Sequence, residues 1–371
     1  MSLLKGKSGA HSAAAPAREQ INVPVRTAAK EKRSPLTVIK RILAFFGAGL
    51  GVFLLLVVGA ILIVCKGPSE NAEKIFVMSC NETSALKNVP RWFLSDEEVD
   101  SILYPEESSD SWTELGYKAV DGAGAQEVSV QVSTDNASDE LELIDIKGST
   151  YKGKLLIIHD PARVQVAMLD YFGDKGIYLT EFYEKYGAVA ATNAGGFYDP
   201  GGFGEGGIPD GLTIRNGQIA YGDAYTWYVD VIGFDADHVL HVGNMYGYEA
   251  LDAGIVNGVS FSAGPVLIQN GYKYENLGGG VNPRTCIGQR ADGAVLLCVI
   301  EGRHPDSLGA TYDDIADLME EYGAVNAANL DGGSSSAMIY NGEQITKGSN
   351  IVGSRPMCTA IVVLAAQEDE Q

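Results

Sequence analysis

Two stretches of this chain carry nearly the same phrase: EKYGAVAATNAGG at residues 184–196 and EEYGAVNAANLDGG at residues 320–333. Each stretch leaves a helix, passes a glycine and a short apolar run, and ends in a turn that holds Asn or Asp beside two glycines. Chance similarity is the alternative, since glycine commonly ends helices. Polar side chains beside glycines just past a strand favour a site where a ligand approaches the backbone. The repeat therefore predicts two related half-sites that face one cleft.

The region 141–366 alternates short apolar runs with turns. Helices are predicted directly ahead of the repeated phrase, at 179–186 and 312–322. Many strands against few helices predict a sheet-dominated α+β domain with an internal helix-strand-turn repeat. Asn-Gly or Asp-Gly pairs predict β-hairpins at Asn216, Asn270, Asp292 and Asn341. Strands are predicted at 154–158, 188–192, 212–215, 219–221, 229–234, 260–268, 284–289, 295–301, 324–328, 337–340 and 357–364.

Residues 42–65 contain no charged side chain and include the run GAGLGVFLLLVVGAILIVC. A helix of this length crosses a hydrocarbon layer about 30 Å thick, so the run predicts one transmembrane helix. A cleaved signal peptide is the alternative, but the run is long for a signal peptide and follows a polar leader, residues 1–41.

The leader carries nine Lys or Arg against two Glu, whereas the chain as a whole has a net charge of −21. Basic residues favour the cytoplasmic side of a membrane, so we expect a single-pass protein of the cell membrane with an extracytoplasmic C-terminal part. The composition of the leader predicts disorder. The acidic remainder argues against nucleic acid as a partner, because phosphate binding needs a cationic face.

Between the membrane helix and the sheet-rich domain, residues 66–140 are predicted to form a helical and acidic stalk or covering region. Within it, Ser95 followed three positions later by Glu98 is typical of a helix start. The domain itself is expected at 141–366, followed by an acidic tail at 367–371.

Five cysteines show no CxxC spacing and no pairing with histidine, so neither a zinc site nor another metal site is predicted. The spacing leaves the disulfide state of Cys286, Cys298 and Cys358 open. A calcium-dependent sugar site is a further alternative. It would use Asp199, Glu205 and Asp210, although no EF-hand spacing supports it.

Three segments concentrate polar groups at predicted strand ends. Residues 193–210 hold seven glycines in 18 positions, which indicates a loop shaped around a ligand or, alternatively, a flexible surface loop. A predicted hairpin begins near Arg284 and returns to Arg303, so it brings two guanidinium groups to one end of the sheet. Guanidinium matches phosphate oxygens in a bidentate way, and Arg355 is a third candidate. Surface ion pairs are the alternative for these arginines.

The third segment is residues 329–336, NLDGGSSS, where Asp331 ends an apolar run and precedes two glycines. This position presents a carboxylate to a cleft, although an aspartate that only caps a turn is the alternative. A serine nucleophile is disfavoured, because the G-x-S-x-G elbow is missing.

In this order, NAGGF, NPRT with its following hairpin, and NLDGGSSS resemble the phosphodiester glycosidase family over roughly residues 150–365. The resemblance implies hydrolysis of the bond between a sugar anomeric carbon and a phosphodiester, without a cofactor. Bacterial members of the family, many of them anchored at the envelope, are usually linked to exopolysaccharide or wall-polymer metabolism. A serine follows the two glycines of the last motif where relatives often extend the glycine run. The resemblance implies site residues at Asn193, Gly195, Gly196, Phe197, Arg284, Thr285, Glu301, Arg303, Asp331, Gly332, Gly333 and Ser334.

A phosphate leaves as a stable anion, so cationic stabilisation matters more for this reaction than a strong general acid. We therefore expect Asp331 to act as nucleophile or base, with Glu301 as the second carboxylate. Arg284 and Arg303 would hold the phosphate, while Asn193 and Ser334 would bond sugar hydroxyls. The rival hypothesis is a non-catalytic module that binds glycans or wall polymers and has no need of Asp331.

Overall fold

A computed structural model describes residues 35–83, 86–104, 130–132, 140–202, 204–262, 264–349 and 355–366. Contacts divide the chain into two units, Met1–Val58 and Gly59–Gln371. Most of the predicted leader, most of the predicted acidic stretch before residue 140 and the tail at 367–371 lie outside the described residues. The predicted domain boundaries therefore stay predictions.

The first described element is helix α1, Pro35–Lys66. Its segment Ile39–Lys66 contains 18 consecutive residues with a mean hydropathy of 2.9 and is, among the described residues, the one helix long and apolar enough to cross a membrane. A signal sequence near the N-terminus can be equally long and apolar. Length and composition thus agree with the predicted spanning segment.

Two helices and a short 3-10 helix, Pro90–Trp92, follow: α2, Glu70–Asn81, and α3, Asp96–Leu103. The predicted start of α3 is confirmed, because Ser95 Oγ accepts from Glu98 N and Glu98 Oε2 accepts from Ser95 N. Val77, Leu94 and Val99 pack together and bury the apolar faces of these helices.

From residue 140 onward, the described residues form three antiparallel sheets and three α-helices, with short 3-10 turns between them. The helices are α4, Leu179–Lys185; α5, Gly247–Asp252; and α6, Tyr312–Glu321. The strands are β1, Leu141–Lys147; β2, Lys152–Ile158; β3, Val164–Met168; β4, Ala188–Asn193; β5, Thr213–Arg215; β6, Gln218–Tyr221; β7, Tyr228–Phe234; β8, Leu240–Tyr246; β9, Asn257–Ser260; β10, Val266–Gln269; β11, Tyr272–Lys273; β12, Arg284–Arg290; β13, Val295–Ile300; β14, Ala324–Leu330; β15, Met338–Tyr340; β16, Glu343–Gln344; and β17, Thr359–Leu364.

The largest sheet has seven strands in the order β1-β2-β13-β12-β14-β10-β11. Two five-stranded sheets have the orders β16-β15-β4-β17-β3 and β6-β5-β9-β7-β8. The central core takes side chains from all three sheets, while α6 packs on the seven-stranded sheet, α4 on the sheet with β4, and α5 on the sheet with β8. The predicted sheet-dominated α+β class is confirmed.

Sequence reasoning missed β1, β3, β8, most of β9 and α5, and the single strand predicted at 260–268 is instead the end of β9 and most of β10. β1 reads LELIDIK, an edge strand with three charged residues, and β8 reads LHVGNMY, with Gly and Asn inside the strand. Both patterns depart from the clean apolar runs that indicate strands. The predicted hairpins are present, and Asn216, Asn270 and Asn341 each take a positive φ near 50°.

The repeated phrase builds the helix-strand units α4–β4 and α6–β14. The two strands lie in different sheets, yet their ends meet. The backbone N–H of Asp331 donates to Ala194 O over 2.9 Å, and Asn193 Nδ2 donates to Asp331 O over 2.5 Å. The repeat therefore brings its two polar turns to one place, as its sequence predicts.

Candidate active site

A cavity of about 360 Å³ lies where the two repeat ends meet, a volume within the range of small-ligand sites. Nine of the predicted site residues border it: Gly196, Phe197, Arg284, Arg303, Asp331, Gly332, Gly333, Ser334 and Arg355. Residues that sequence reasoning did not select also border it, and they include Glu82, Thr83, Phe261, Asn282, Tyr312 and Ser349.

Asp331 follows β14 directly and keeps part of its surface open to the cavity. The surrounding protein is dense, and burial raises the pKa of Asp331 to about 7. Hydrogen bonds from Ser335 and Gly332 and the charge of Arg355 act in the opposite direction but do not outweigh burial. A carboxyl group with such a pKa exchanges a proton near neutral pH, which suits a catalytic base.

Arg284 begins β12 and is buried, with only 4% of its side chain exposed. Its guanidinium lies 3.8 Å from the centroid of the Tyr312 ring, and it donates to Ala310 O and Gly280 O. Such contacts fix a cation in place before any ligand arrives. Its remaining charged partner is Glu82, whose Oε2 lies 2.8 Å from Arg284 Nη2.

Arg303 reaches the same cavity from beyond the end of β13. Its Nη2 donates to Asn282 Oδ1 and to Thr83 Oγ1, each over 3.2 Å. Although the residue as a whole is exposed, burial around its guanidinium lowers the pKa of Arg303. A Cβ on Gly333 would lie 3.3 Å from Arg303 Nη2, and Gly333 has φ +59°. Glycine at this position therefore suits both the backbone and the approach of the guanidinium.

Glu82 is the main site residue that sequence reasoning missed. It follows α2 and accepts from Gly280 N over 2.7 Å, from Asn282 Nδ2 over 2.9 Å and from Arg284 Nη2 over 2.8 Å. An anion with three donors around it marks an anion-binding position. No local pattern could have revealed it, because Glu82 and Arg284 lie about two hundred residues apart.

Arg355 borders the cavity but is already paired. Its two terminal nitrogens donate to the two oxygens of Asp199 over 2.7 and 2.8 Å, and its guanidinium lies 4.8 Å from the Phe197 ring centroid. Burial tends to raise the pKa of Asp199, but bonds from Arg355 and Gly204 outweigh it and leave this pKa lowered. Arg355 is thus a neutralised part of the cavity wall.

The calcium alternative finds no support in this geometry. Asp199 is held by Arg355, and Asp210 Oδ2 accepts from Ser262 Oγ over 2.8 Å. Within the described parts of the chain, no group of three or more His, Cys, Asp or Glu side chains is arranged to hold a metal ion.

Asn193, Gly195 and Thr285 lie behind the cavity wall rather than on it. Asn193 is 1% exposed, and its Oδ1 accepts from Thr285 Oγ1 and from Ala337 N. Neighbouring residues of a strand face opposite sides of the sheet, so Arg284 and Thr285 cannot both reach one cavity. The structure therefore does not bring the side chains of Asn193 and Thr285 to the cavity wall, and their contact with a substrate stays a prediction. Their side chains instead support the segment that carries Asp331.

Glu301 also lies outside the cavity wall. Its Oε1 accepts from Lys347 N over 2.8 Å, and its backbone carbonyl accepts from Ser307 Oγ over 2.7 Å. The side chain thus holds a neighbouring loop in place. The structure does not bring Glu301 together with Asp331 as a second carboxylate.

All five cysteines lie in the described part of the chain, and all are free and buried. Cys286 and Cys298 are directly opposed on β12 and β13, and burial raises the pKa of the Cys286 thiol. Cys358 lies beneath the cavity, where burial raises its pKa to about 12. Thiols this reluctant to ionise are poor nucleophiles.

The sequence profile of the phosphodiester glycosidase family matches residues 186–364. The structure resembles the catalytic domain of zebrafish N-acetylglucosamine-1-phosphodiester alpha-N-acetylglucosaminidase auto-inhibited by its pro-peptide. That match has a TM-score of 0.52 and 19% identity, and it covers 64% of this chain and 87% of the zebrafish chain. A hypothetical protein from Synechocystis matches with a TM-score of 0.44 and 17% identity, over 61% of each chain.

Among curated proteins, the SPbeta prophage-derived uncharacterized protein YomE of Bacillus subtilis is 41% identical over 64 residues. The match covers 17% of this chain and a tenth of the length of that relative. The zebrafish match supports the fold, and the family profile covers all three motifs in part or whole, from the helix end before β4 to β17. Residues 186–364 of this chain therefore form a domain of the phosphodiester glycosidase family.

Proposed function

We propose that this protein hydrolyses the bond between a sugar anomeric carbon and a phosphodiester, and releases a free sugar and a phosphate monoester. The observation that carries the proposal is that Asp331, Arg284 and Arg303 border one cavity of about 360 Å³. Membership of the phosphodiester glycosidase family supports the reaction class. The residues of the site supply a consistent chemistry.

A single active carboxylate is sufficient for this reaction. Most glycosidases need a second carboxyl group because the leaving alkoxide must be protonated. A phosphate monoester leaves as a stable anion, so the demand moves to cationic groups around its oxygens. Arg284 and Arg303 meet that demand, which also explains why Glu301 need not reach the cavity.

Asp331 acts in its ionised form, either as the nucleophile on the anomeric carbon or as the base that activates water. With a pKa raised to about 7, the carboxylate is more basic than an ordinary aspartate. The hydrogen bonds from Ser335 and Gly332 hold it in one orientation. The price of an unsolvated charge is thus partly offset by these donors.

The phosphate would bind where Glu82 now lies. Its oxygens would accept from Arg284, Arg303 and Asn282, after the carboxylate of Glu82 has left. The zebrafish domain is described as auto-inhibited by its pro-peptide. In this chain the end of α2, which precedes the family domain, would oppose substrate binding in a comparable way.

The sugar would occupy the rest of the cavity. Phe197 and Phe261 offer apolar surface for the ring, while Ser334, Ser349 and Asp210 offer hydrogen-bonding groups for hydroxyls. Gly196 leaves space there, since a Cβ at this position would lie 2.8 Å from the Phe261 ring. Asn193 is not needed for this contact, because its side chain is fully engaged elsewhere.

We further propose that α1 anchors the enzyme in the cell membrane with its domain outside the cytoplasm. The basic leader supports this orientation, since positive charge favours the cytoplasmic side. The substrate would then be a phosphodiester-linked sugar of an exopolysaccharide or a cell-wall glycopolymer. Such polymers are anionic glycans, and the positive charges of Arg284 and Arg303 in the cavity wall would attract them.

The test uses the full chain in detergent micelles with UDP-N-acetylglucosamine and a panel of sugar-1-phosphodiesters. Free sugar and phosphate monoester should appear in equal amounts, with Asp331→Asn protein as the blank. Turnover should persist in the presence of a chelator. If the wild-type protein binds these compounds but releases no sugar from any of them, the non-catalytic glycan-binding alternative replaces the proposal.

A further inference from the structure

A set of aromatic rings lies outside the cavity, around the loop that joins β6 to β7. One row of contacts runs from Tyr225 to Tyr248, then to Tyr246 and Tyr228, with ring centroids 5.6, 5.6 and 5.0 Å apart. A second row joins Phe172, Tyr221 and Trp227, with centroids 5.8 and 6.1 Å apart. We call this surface the aromatic shelf; it consists of Phe172, Tyr221, Tyr225, Trp227, Tyr228, Tyr246 and Tyr248.

The shelf is exposed to an unusual degree for so many large rings. Tyr225 is 74% exposed, Tyr228 41%, Trp227 38% and Tyr248 37%. Exposed patches of this kind mark interaction sites, because single apolar residues scatter whereas functional ones cluster. The shelf therefore offers its ring faces to a ligand.

The shelf is also rigid. Asp223 Oδ1 accepts from Tyr225 N, Thr226 N and Thr226 Oγ1 over 2.8 to 2.9 Å, which fixes the loop between the two rows. The backbone N–H of Tyr248 donates to Ala224 O over 3.0 Å and ties α5 to the same loop. A surface ordered in advance loses little entropy when it binds a ligand.

Strand register connects the shelf with the cavity. In the sheet β6-β5-β9-β7-β8, Val231 of β7 opposes Ser260 of β9. Beyond that pair, the chain runs from the end of β9 to Phe261 in the cavity wall, while β7 begins at Tyr228 of the shelf. The shelf and the cavity thus lie at the same end of the strands of this sheet.

The neighbouring strands β5 and β6 also place a cavity residue and a shelf residue at this end of the sheet. Thr213 of β5 opposes Tyr221 of β6, and Asp210 of the cavity wall lies three residues before Thr213. On the far side of the sheet, Tyr246 ends β8 opposite Tyr228. A polymeric ligand that extends from the cavity along this end of the sheet therefore meets aromatic rings.

The chemistry of the shelf selects sugar rings over phosphate. Aromatic faces carry negative charge and attract the slightly positive C–H groups on the flat side of a pyranose. Carboxylates beside the rings, Asp223 and Glu249, accept hydrogen bonds from hydroxyls and repel anions; Tyr248 already donates to Glu249 Oε1 over 3.3 Å. We infer that the aromatic shelf binds the uncharged sugar units of the glycan that carries the scissile phosphodiester. That this glycan is the substrate rests on the proposed function.

The binding test measures dissociation constants of the full chain, in detergent micelles, for a panel of labelled polysaccharides and oligosaccharides with and without phosphodiester links. Tyr225→Ala should weaken binding of at least one neutral glycan roughly tenfold. Tyr225→Phe keeps the ring and should retain binding within about twofold. Trp92→Ala is the matched control, because Trp92 is 74% exposed on another element. Unfolding midpoints show that each variant is folded, and Tyr248→Ala provides an independent second variant.

A kinetic test separates this inference from the proposed function. If both hold, Tyr225→Ala raises KM for a polymeric phosphodiester and leaves KM for a short sugar-1-phosphodiester unchanged. If the short compound is hydrolysed but no glycan binds, or Tyr225→Ala binds as well as the wild type, the shelf proposal is overturned. If glycans bind through Tyr225 but no phosphodiester is hydrolysed, the shelf stands and the hydrolase proposal falls. Binding of oligolysine in place of glycans would also overturn the shelf proposal.

Discussion

The two copies of the repeated phrase have the same local fold but different tasks. In the first copy, Asn193 ends β4, and both polar atoms of its side chain are hydrogen-bonded to neighbouring segments. In the second, the equivalent Asn329 bonds only to the next carbonyl, Leu330 O, and its buried Oδ1 has no protein partner among the described residues. One further residue, Asp331, stands before the glycines of the second copy. The first copy holds the backbone of the second copy in place, and the second copy provides the carboxylate of Asp331.

This difference shows how one helix-strand-turn unit is used twice at one cleft. The backbone of both copies meets through Asp331 N and Ala194 O. Because the strands belong to different sheets, the contact also joins the sheets at the cavity. The side chain of Asn193 in the first copy bonds across this contact, whereas the second copy presents the carboxylate of Asp331 to the cavity.

The sharpest test of the difference is Asp331→Asn. The change keeps the shape of the side chain and removes its charge, so we expect kcat to fall about a thousandfold. Circular dichroism and the cooperativity of unfolding should remain those of the wild type. Retained turnover of the sugar-phosphodiester would show that the second copy is not the catalytic one.

The same variant should change the pH dependence of stability. The pKa of Asp331 is raised from 3.8 to about 7 on folding, so the folded chain keeps a proton between about pH 4 and 7 that the unfolded chain releases. Stability of the wild type should therefore fall as pH rises through this range, relative to Asp331→Asn. Denaturant unfolding at pH 4 and pH 8 measures the effect; parallel curves would contradict the raised pKa.

A pair of alanine variants compares the two asparagines directly. Asn193→Ala leaves Thr285 Oγ1, Ala337 N and the carbonyl of Asp331 without their partner, and should cost about 3 kcal/mol of unfolding free energy. Asn329→Ala removes a single donor and should cost about 1 kcal/mol. Urea titration of both proteins gives the values. Equal losses of unfolding free energy would mean that the two asparagines contribute equally to stability.

Arg355, which belongs to neither copy, offers a test of how a neighbouring charge tunes the second copy. Its charge lowers the pKa of Asp331 against the effect of burial. Arg355→Gln should therefore move the acid limb of kcat/KM to higher pH and reduce activity at neutral pH several-fold. The pH profiles of wild type and variant provide the measurement. A limb that stays in place would disconnect Arg355 from the titration of Asp331.

The smallest effect is expected for a carboxylate that belongs to neither copy. Glu82→Gln removes the negative charge that is paired with Arg284. Because the phosphate then competes with no carboxylate for this arginine, KM for a sugar-1-phosphodiester should fall a few-fold. Glu301→Gln is the matched control, because its carboxylate bonds to Lys347 N outside the cavity. A large loss of kcat in Glu301→Gln would instead restore Glu301 to the reaction.

Local sequence was a good guide wherever the signal was local. The helix starts at Ser95 and Thr311, the Asn-Gly hairpins and the helix-strand units of the repeat depend on residues a few positions apart, and the structure contains them. The charge-free run of α1 is equally local. The order of the three motifs was also enough to indicate the family, and hence the residues around Asp331 and the two arginines.

The chain by itself thus determined the sheet-rich class, the repeat, the apolar helix and the identity of the charged groups. Only the tertiary structure decided which of those groups face the cavity. Alternation along β12 sends Arg284 to the site and Thr285 to the core, and packing of α2 brings Glu82 onto Arg284 from far away in sequence. The physical reason is that propensity acts between neighbours along the chain, whereas burial and charge pairing act between neighbours in space.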